Sequence, residues 1–262
     1  ETLDDALRVV DQLQGKNALS TVDVLGEEAR DEGRAARAVQ EYEAVLGHAR
    51  ELGLERVRQV YERLKLPLLN TVITVAGTNG KGSTVAGYET WLHHAGFKVA
   101  SYTSPHILRY NERVRLGLQP VTDEDICRAF AAIDAAREEI SLTYFEFGTL
   151  AALVLISNYQ PDYAILEVGL GGRLDAVNII DPDLAHITPV GLDHQAWLGN
   201  DRETIGREKA GILRSGCKMV CSDSKPPQSI LDAAAELECT LYLAGRDYQV
   251  EQISAEQFEW CC

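Results

Sequence analysis

A glycine-rich segment, GTNGKGS at residues 77–83, has the residue types and spacing that a phosphate-binding loop needs. Glycines let backbone N–H groups approach a polyanion closely, and the start of a following helix adds unpaired donors. Lys81 would place its charge beside the β- and γ-phosphates of ATP, and Ser83 could reach the phosphates or a magnesium ion. Because Gly82 separates this lysine from the serine, the segment is a variant of the common G-x-x-x-x-G-K-[ST] pattern. We interpret it as a phosphate loop rather than a turn with a solvated lysine, and its members are Gly77, Thr78, Asn79, Gly80, Lys81, Gly82 and Ser83.

Two further segments offer oxygen ligands for a divalent ion. Ser104 lies in TSPH, residues 103–106, and its hydroxyl could bind magnesium, although Ser-Pro is also a common turn sequence. Glu167 ends an apolar run and precedes the glycine-rich bend GLGGR, residues 169–173. A buried carboxylate needs a cation, and magnesium prefers oxygen ligands. A salt bridge from Glu167 to Arg173 or to another base is the alternative.

Three more groups carry side chains that could act chemically. Tyr144 and Phe145, next to Glu146, could stack on a flat heterocycle, or could form an aromatic core patch where a helix begins. His194 could be a metal ligand, although a single histidine is more often hydrogen-bonded within a structure. Lys209 would be solvated on its predicted helix, unless burial lowered the pKa of its amine and made it a nucleophile.

The hydrophobic pattern predicts a scaffold that brings these segments together. Short apolar or β-branched runs predict strands at residues 71–76, 97–102, 163–168, 184–188, 218–222 and 240–243, with a small antiparallel piece at 248–253. Helical spacing predicts helices at 35–52, 54–66, 82–94, 122–139, 147–159 and 226–237. Alternating strands and helices are typical of an α/β fold, a mostly parallel sheet with helices on both faces. We expect a helical N-terminal segment over residues 1–66 and an ATP-binding domain over residues 67–262.

The composition limits the partners. The 262 residues carry a formal net charge of −15, which disfavours nucleic acid and requires a local site for any anionic ligand. No apolar run reaches the ~18 residues of a membrane span. Six cysteines without a C-x-x-C pair favour reduced thiols in a cytoplasmic protein, with Cys217 and Cys221 only a remote metal pair. We therefore expect small-molecule partners and a monomer.

Taken together, these segments resemble the folylpolyglutamate synthase family, within the Mur-type ligase superfamily. The matching segments are VAGTNGKGS (75–83), TSPH (103–106), RYNERV (109–114), SLTYFEFGTL (141–150), LEVGLGGRLDAVN (166–178), LDH (192–194) and REKAGI (207–212). Their order and spacing also match, over about residues 53–250. The segment at 141–150 resembles the bacterial bifunctional type, which combines dihydrofolate synthase with folylpolyglutamate synthase.

The resemblance implies a P-loop-containing, Mur-ligase-like central domain that binds ATP at residues 77–83. It implies magnesium ligands at Ser104, Glu167 and His194, and at Lys209 a lysine that is carbamylated in this superfamily and helps to hold the ion. The residues implied for the pterin site are Thr143, Tyr144, Phe145, Glu146, Leu174 and Asp175. The residues implied to be catalytic are Lys81, His194 and Lys209.

The implied reaction adds L-glutamate to dihydropteroate or to folyl-glutamates. A substrate carboxylate attacks the γ-phosphate of ATP, and the amine of glutamate displaces phosphate from the resulting acyl phosphate. Such an enzyme positions the reactants and neutralises phosphoryl charge with magnesium and Lys81. Two alternatives stay open: another Mur-type amide ligase, which would need a UDP-binding domain before residue 71, and a nucleotide-binding module without catalysis.

Two departures from the family pattern concern the ends of the chain. Family members continue into a second α/β domain that completes the ATP site and helps to bind glutamate, whereas this sequence stops at Cys262. We therefore expect weak nucleotide binding from this chain by itself. The stretch at residues 20–47 is also longer than its counterpart in typical bacterial members, and no role is assigned to it.

Overall fold

The computed structural model describes residues 53–252 and 258–261. The helix predicted at residues 35–52 and the rest of the N-terminal segment up to residue 52 lie outside the described residues. The strands are β1 (Thr71–Ala76), β2 (Val99–Tyr102), β3 (Val114–Leu116), β4 (Gln119–Pro120), β5 (Tyr163–Glu167), β6 (Leu184–Ile187), β7 (Lys218–Cys221), β8 (Thr240–Leu243), β9 (Gln249–Gln252) and β10 (Phe258–Cys261). All six predicted strands are therefore confirmed.

Eight of these strands form one sheet in the order β4-β3-β2-β5-β1-β6-β7-β8. The strands from β2 to β8 in this order run parallel, and β3 and β4 are antiparallel at one edge. This hairpin was not predicted, because strands of three and two residues are too short to show a hydrophobic period. The small antiparallel piece is confirmed, since β9 pairs with β10.

Helices cover both faces of the sheet, as the α/β pattern predicts. They are α1 (Glu55–Leu64), α2 (Lys81–His94), α3 (Asp123–Arg137), α4 (Tyr144–Tyr159), α5 (Gln195–Leu198), α6 (Arg202–Ala210) and α7 (Gln228–Glu236), with short 3-10 helices at Tyr110–Arg113 and Ala176–Ile179. Alternate residues of β1 face opposite layers: Val72 packs with the cluster that contains Leu153 of α4, and Ile73 with the cluster that contains Val85 of α2. A strand buried on both faces explains the continuous apolar run. None of the helices within the described ranges is long and apolar enough to cross a bilayer.

Helix α1 belongs to the same packed unit as the sheet. Its Val57 and Val60 are fully buried, in a cluster with Ile133 of α3 and Leu150 of α4. The division of the chain at residues 66 and 67 stays a prediction.

The cysteine that lies next to Cys217 is Cys239, and not Cys221 as the sequence pair suggested. The Sγ atom of Cys217 lies 3.4 Å from that of Cys239, because the two residues precede the paired strands β7 and β8. Both thiols are free. Spacing along one strand could not reveal a neighbour on the next strand.

Candidate active site

The strand order reverses between β1 and β6, and a cleft opens there. From β1 the chain continues to β2, towards one edge of the sheet, and from β6 it continues to β7, towards the opposite edge. The loops that follow these two neighbouring strands therefore diverge. Open α/β sheets bind ligands at such a point. The residues that line the cleft are Gly77, Thr78, Lys81, Gly169, Leu170, Gly171, Asp193, His194, Leu198 and Lys209.

The predicted phosphate loop connects β1 to α2 and is braced by the segment after β6. The backbone N–H groups of Thr78 and Asn79 donate to the carbonyl of Pro189, at 3.1 and 3.3 Å. Lys81 is the first residue of α2 and folds back over its own loop, where its Nζ donates to the carbonyl of Gly77 at 3.2 Å. This arrangement places the ammonium of Lys81 over the loop and at the start of a helix, where a polyphosphate can bind.

Gly77 is a position where a side chain should not fit. Its φ is +146°, and an added Cβ would lie 1.8 Å from Oγ1 and 3.0 Å from the backbone N of Thr188. We expect Gly77→Ala to lower the free energy of unfolding by about 3 kcal/mol or more, because strain and overpacking combine. Urea unfolding measures this. Gly80→Ala is the control, since its φ is +86° but no atom lies within 4 Å, and it should cost only about 1 kcal/mol. Equal losses in the two variants would contradict the steric argument.

Helix α2 is held against the sheet by two buried polar contacts that the sequence did not suggest. On one side, Tyr88 contacts His186 Nδ1 at 2.9 Å, and His186 Nε2 contacts Ser222 at 3.0 Å. Burial lowers the pKa of His186 to about 4, so this histidine is neutral near pH 7. On the other side, Ser101 donates to Glu89 at 2.6 Å. These contacts fix the helix whose first turn carries the phosphate loop.

Ser104 and Glu167 meet next to this loop. The backbone N–H of Ser104 donates to Oε2 of Glu167 at 3.0 Å, although 63 residues separate them. Glu167 is only 4% exposed, and burial raises its pKa even though this hydrogen bond and the charge of Lys81 lower it. Arg173 pairs with Glu208 at 3.0 Å, which removes the salt bridge from Glu167 to Arg173. A buried, incompletely compensated carboxylate next to a serine residue suits a hard divalent cation.

Lys209 and His194 lie on the walls of the cleft. Lys209 is 3% exposed, and its Nζ donates to the carbonyl of Gly77 at 2.8 Å. Burial first, and then the charge of Lys81, lower the pKa of Lys209 to about 8. His194 is exposed and has its Nε2 3.7 Å from Oδ2 of Asp193. Among the residues that the structure describes, no group of three or more His, Cys, Asp or Glu side chains is close enough to hold a metal. An ion here would therefore need ligands of mixed type.

Two residues of the predicted pterin site, Thr143 and Glu146, form the N-terminal cap of α4. Thr143 caps this helix and accepts from the N–H of Glu146, whose Oε2 accepts from the N–H of Thr143 at 2.7 Å and lies 3.5 Å from Arg56. This capping box explains why α4 begins at Tyr144, three residues before the predicted start at residue 147. The signal was present in the sequence as Thr143-x-x-Glu146.

The two aromatic residues of the predicted pterin site, Tyr144 and Phe145, have different neighbours: Phe145 lies against Gly169, and Tyr144 lies against Tyr110. The ring of Phe145 lies within 2.6 Å of the place where a Cβ on Gly169 would be, so this glycine gives the ring its space. Tyr144 lies edge-on to Tyr110, with ring centroids 6.2 Å apart. Phe145 packs with the core and Tyr144 is half-buried, and the stacking of either ring on a heterocycle stays a prediction.

Asp175 is buried at the end of the glycine-rich bend, directly after the half-buried Leu174. It accepts from the N–H groups of Leu170 and Val177, each at 2.9 Å. Burial is the largest influence on its carboxyl group and raises the pKa to about 6, although these bonds lower it. Asp175 therefore fixes the bend that forms one wall of the cleft.

A salt bridge that sequence reasoning missed supports the opposite wall. Arg202 donates to Asp223 at 2.8 Å and, through Nε, to the carbonyl of Val190 at 2.8 Å. Asp223 also accepts from the N–H of Val190 at 3.0 Å. No sequence signal marks this contact, because it joins α6 to residues that follow two different strands.

The parallel sheet, the variant glycine loop at its switch point and the two lysines over that loop define a P-loop-containing α/β domain of the Mur-ligase-like type. No protein-family model matches the chain. Similarity to individual proteins is nevertheless clear, and the chain belongs to the folylpolyglutamate synthase family.

The chain is 51% identical over 199 residues to the dihydrofolate synthase/folylpolyglutamate synthase of Escherichia coli K12, covering 76% of this chain and 47% of that protein. It is 50% identical over 213 residues to the protein of the same name from Haemophilus influenzae, covering 80% and 48%. The chain therefore spans about half the length of the curated relatives it matches.

Solved structures agree with this assignment. The structure of E. coli FolC in complex with DHPP and ADP superimposes with a TM-score of 0.77 at 48% identity, covering 80% of this chain and 51% of that one. A bifunctional folylpolyglutamate synthase/dihydrofolate synthase from Yersinia pestis, complexed with AMPPNP and Mn, gives a TM-score of 0.77 at 52% identity, covering 81% and 52%.

Proposed function

We propose that this chain forms the ATP-binding part of a ligase that adds L-glutamate to dihydropteroate, to folyl-glutamates, or to both. The observation that carries the proposal is the meeting of Lys81, Lys209 and the Ser104–Glu167 pair around one glycine loop. Relatives whose structures hold ADP, AMPPNP, Mn or glutamate support it. We further propose a cytoplasmic monomer that acts on small molecules.

In the proposed reaction, a substrate carboxylate attacks the γ-phosphate of ATP and ADP leaves. The amine of glutamate then displaces phosphate from the acyl phosphate and forms the amide. Those N–H groups of the loop at residues 77–83 that do not donate to Pro189 bind the phosphates of ATP, and Lys81 neutralises charge on the transferred group. Lys81 changes partners with little loss, because its present acceptors are two backbone carbonyls at 3.2 and 3.5 Å.

Magnesium is the cofactor that this site suits best. We propose Ser104, Glu167 and His194 as its protein ligands, with Lys209 as a fourth after modification. A magnesium ion bound there would neutralise charge on the phosphoryl oxygens. Glu167 supports this role, because burial raises the pKa of its carboxyl group and a nearby cation would compensate the charge.

Lys209 has the chemistry that carbamylation requires. Only a neutral amine adds CO2, and an amine of pKa about 8 is neutral in about a quarter of molecules near pH 7.5. An exposed lysine would be neutral in about one molecule in a thousand. The carbamate would convert a buried cation into an anionic oxygen ligand.

For the pterin ring we propose a site that comprises Tyr144, Phe145, Leu174 and Asp175. Thr143 and Glu146 adjoin these residues through the helix cap. An aromatic ring offers a stacking surface, and a carboxyl group can hydrogen-bond to ring nitrogen atoms.

Calorimetric titration and a phosphate-release assay test the function. We expect this chain to bind ATP more tightly with Mg²⁺ than with EDTA. Phosphate release that requires dihydropteroate and glutamate would support the ligase. Binding without release would favour a nucleotide-binding module, and release with a UDP-muramoyl substrate would favour another Mur-type ligase.

The metal site predicts a specific change in the magnesium requirement. Glu167→Ala and His194→Ala should each raise the Mg²⁺ concentration needed for half-maximal ATP binding by about tenfold, because each removes a ligand. Glu62→Ala, an exposed acid on α1, is the control for lost charge and should change nothing. An unchanged magnesium titration in both ligand variants would reject the site.

A further inference from the structure

Ser104 begins a loop that closes on itself. The N–H of Thr103 donates to the carbonyl of Arg113 at 2.8 Å, so the two ends of the loop are joined. Between them, Nε of Arg113 donates to Nδ1 of His106 at 2.9 Å. The chain therefore leaves β2, makes a compact excursion and returns to the start of β3.

One carboxylate organises the tip of this loop. Oε2 of Glu112 accepts from the N–H of Ile107 at 2.8 Å, and Oε1 accepts from the N–H groups of Leu108 and Arg109 at 3.0 and 2.8 Å. Three successive backbone donors thus converge on one charged acceptor, an arrangement stronger than neutral hydrogen bonds. These bonds lower the pKa of Glu112.

Apolar packing does not hold the tip. The side chains of Ile107 and Leu108 are 83% and 86% exposed, so burial contributes little to the shape of the loop. Only Pro105 and His106 separate the Glu112-bound segment from Ser104. A change at the tip is therefore transmitted over a very short stretch of backbone to the N–H that donates to Glu167.

We propose that Glu112 is a positioning residue that holds Ser104 in place beside Glu167 and thereby sets the metal side of the nucleotide site. This inference rests on the proposed function, in which Ser104 is a magnesium ligand. The oxygens of Glu112 accept from the loop's own backbone, so its proposed role is to position the loop and not to bind a ligand. Its removal should weaken the contribution of the metal and leave phosphate binding by residues 77–83 intact.

The test measures the affinity for ATP by calorimetry, once with Mg²⁺ and once with EDTA. The quantity compared between variants is the affinity in Mg²⁺ divided by the affinity in EDTA. In Glu112→Ala this ratio should fall roughly fivefold, the equivalent of one lost hydrogen-bonded constraint, while the affinity in EDTA stays within about twofold. Glu112→Gln should give an intermediate ratio, because its amide oxygen still accepts but its NH2 group faces a donor. Hydrogen exchange at residues 107–109 should become faster in Glu112→Ala.

Asp123→Ala is the matched control. Asp123 also binds this loop, through the side chains of Arg109 and Asn111 at 2.9 and 2.8 Å, but accepts none of the three tip N–H groups. It should keep the native ratio.

An unchanged ratio in Glu112→Ala together with a reduced ratio in Ser104→Ala would overturn the positioning role alone. Unchanged ratios in Ser104→Ala and Glu167→Ala would overturn the metal site and the inference with it. An equal loss of affinity in Mg²⁺ and EDTA would also overturn it, since that result marks general damage to the fold. Should Glu112→Ala fail to fold, Glu112→Gln gives the same comparison.

Discussion

Replacing Lys209 with methionine is expected to stabilise the protein while removing its ability to form the proposed metal ligand. Lys209 is buried, and the pKa of its ammonium falls from 10.5 to about 8. That difference corresponds to about 3 kcal/mol of destabilisation when the group is charged in the folded state. Methionine fills similar volume without charge. The carbonyl of Gly77 keeps a partner in Lys81, so no buried acceptor is left unpaired.

The gain should depend on pH in a defined direction. Because the folded pKa lies below the unfolded one, the unfolded state binds more protons between about pH 8 and pH 10.5. The penalty is complete below pH 8 and disappears as the pH rises through that window. We therefore expect Lys209→Met to be about 3 kcal/mol more stable than the native protein near pH 7, and the difference to vanish above about pH 10.5.

Urea unfolding in CO2-free buffer at several pH values measures this difference. Lys218→Met serves as the control, because this lysine is exposed on β7 and should change stability by no more than about 0.5 kcal/mol. A Lys209→Met protein less stable than the native one at pH 7 would show that the buried ammonium stabilises the fold. The expected combination of higher stability and lost activity is common where a site keeps an unfavourable charge for function.

Lys81→Ala should lower the affinity for ATP–Mg²⁺ by about a hundredfold. A lysine against a phosphate is a charge-assisted pair worth about 3 kcal/mol, and the site has the geometry to form it at the start of α2. The fold should lose little, because Lys81 donates only to two carbonyls of its own loop, and Gly77 keeps the donor from Lys209.

Calorimetric titration with ATP–Mg²⁺ measures the loss, and unfolding experiments check that it is local. Lys218→Ala is the matched control, since it removes the same charge at the opposite end of the parallel strands. The variant should also raise the pKa values of Lys209 and Glu167, because the charge of Lys81 lowers both. Native affinity in Lys81→Ala would mean that this loop does not bind the triphosphate.

Much of the fold was predictable because the signals are local. The β-branched run at 71–76 and the glycines after it predict strand, loop and helix from neighbouring residues, and the structure has all three in place. The helix starting after Thr122 was predictable from its cap and acidic first turn. The start of α4 was misplaced by three residues, although Thr143 and Glu146 carried the signal for a capping box.

The electrostatic character of the site was decided only by the tertiary structure. The sequence by itself determined the α/β fold class, the glycine-rich loop between β1 and α2 and the set of candidate side chains, because periodicity, turns and helix starts depend on nearby residues. It did not determine that Arg173 pairs with Glu208 rather than Glu167, that Lys209 is buried over Gly77, or that Glu112 binds the loop beginning at Ser104. Desolvation and charge pairing depend on which distant segments pack together, so these properties exist only once the sheet has brought its strand ends to one edge.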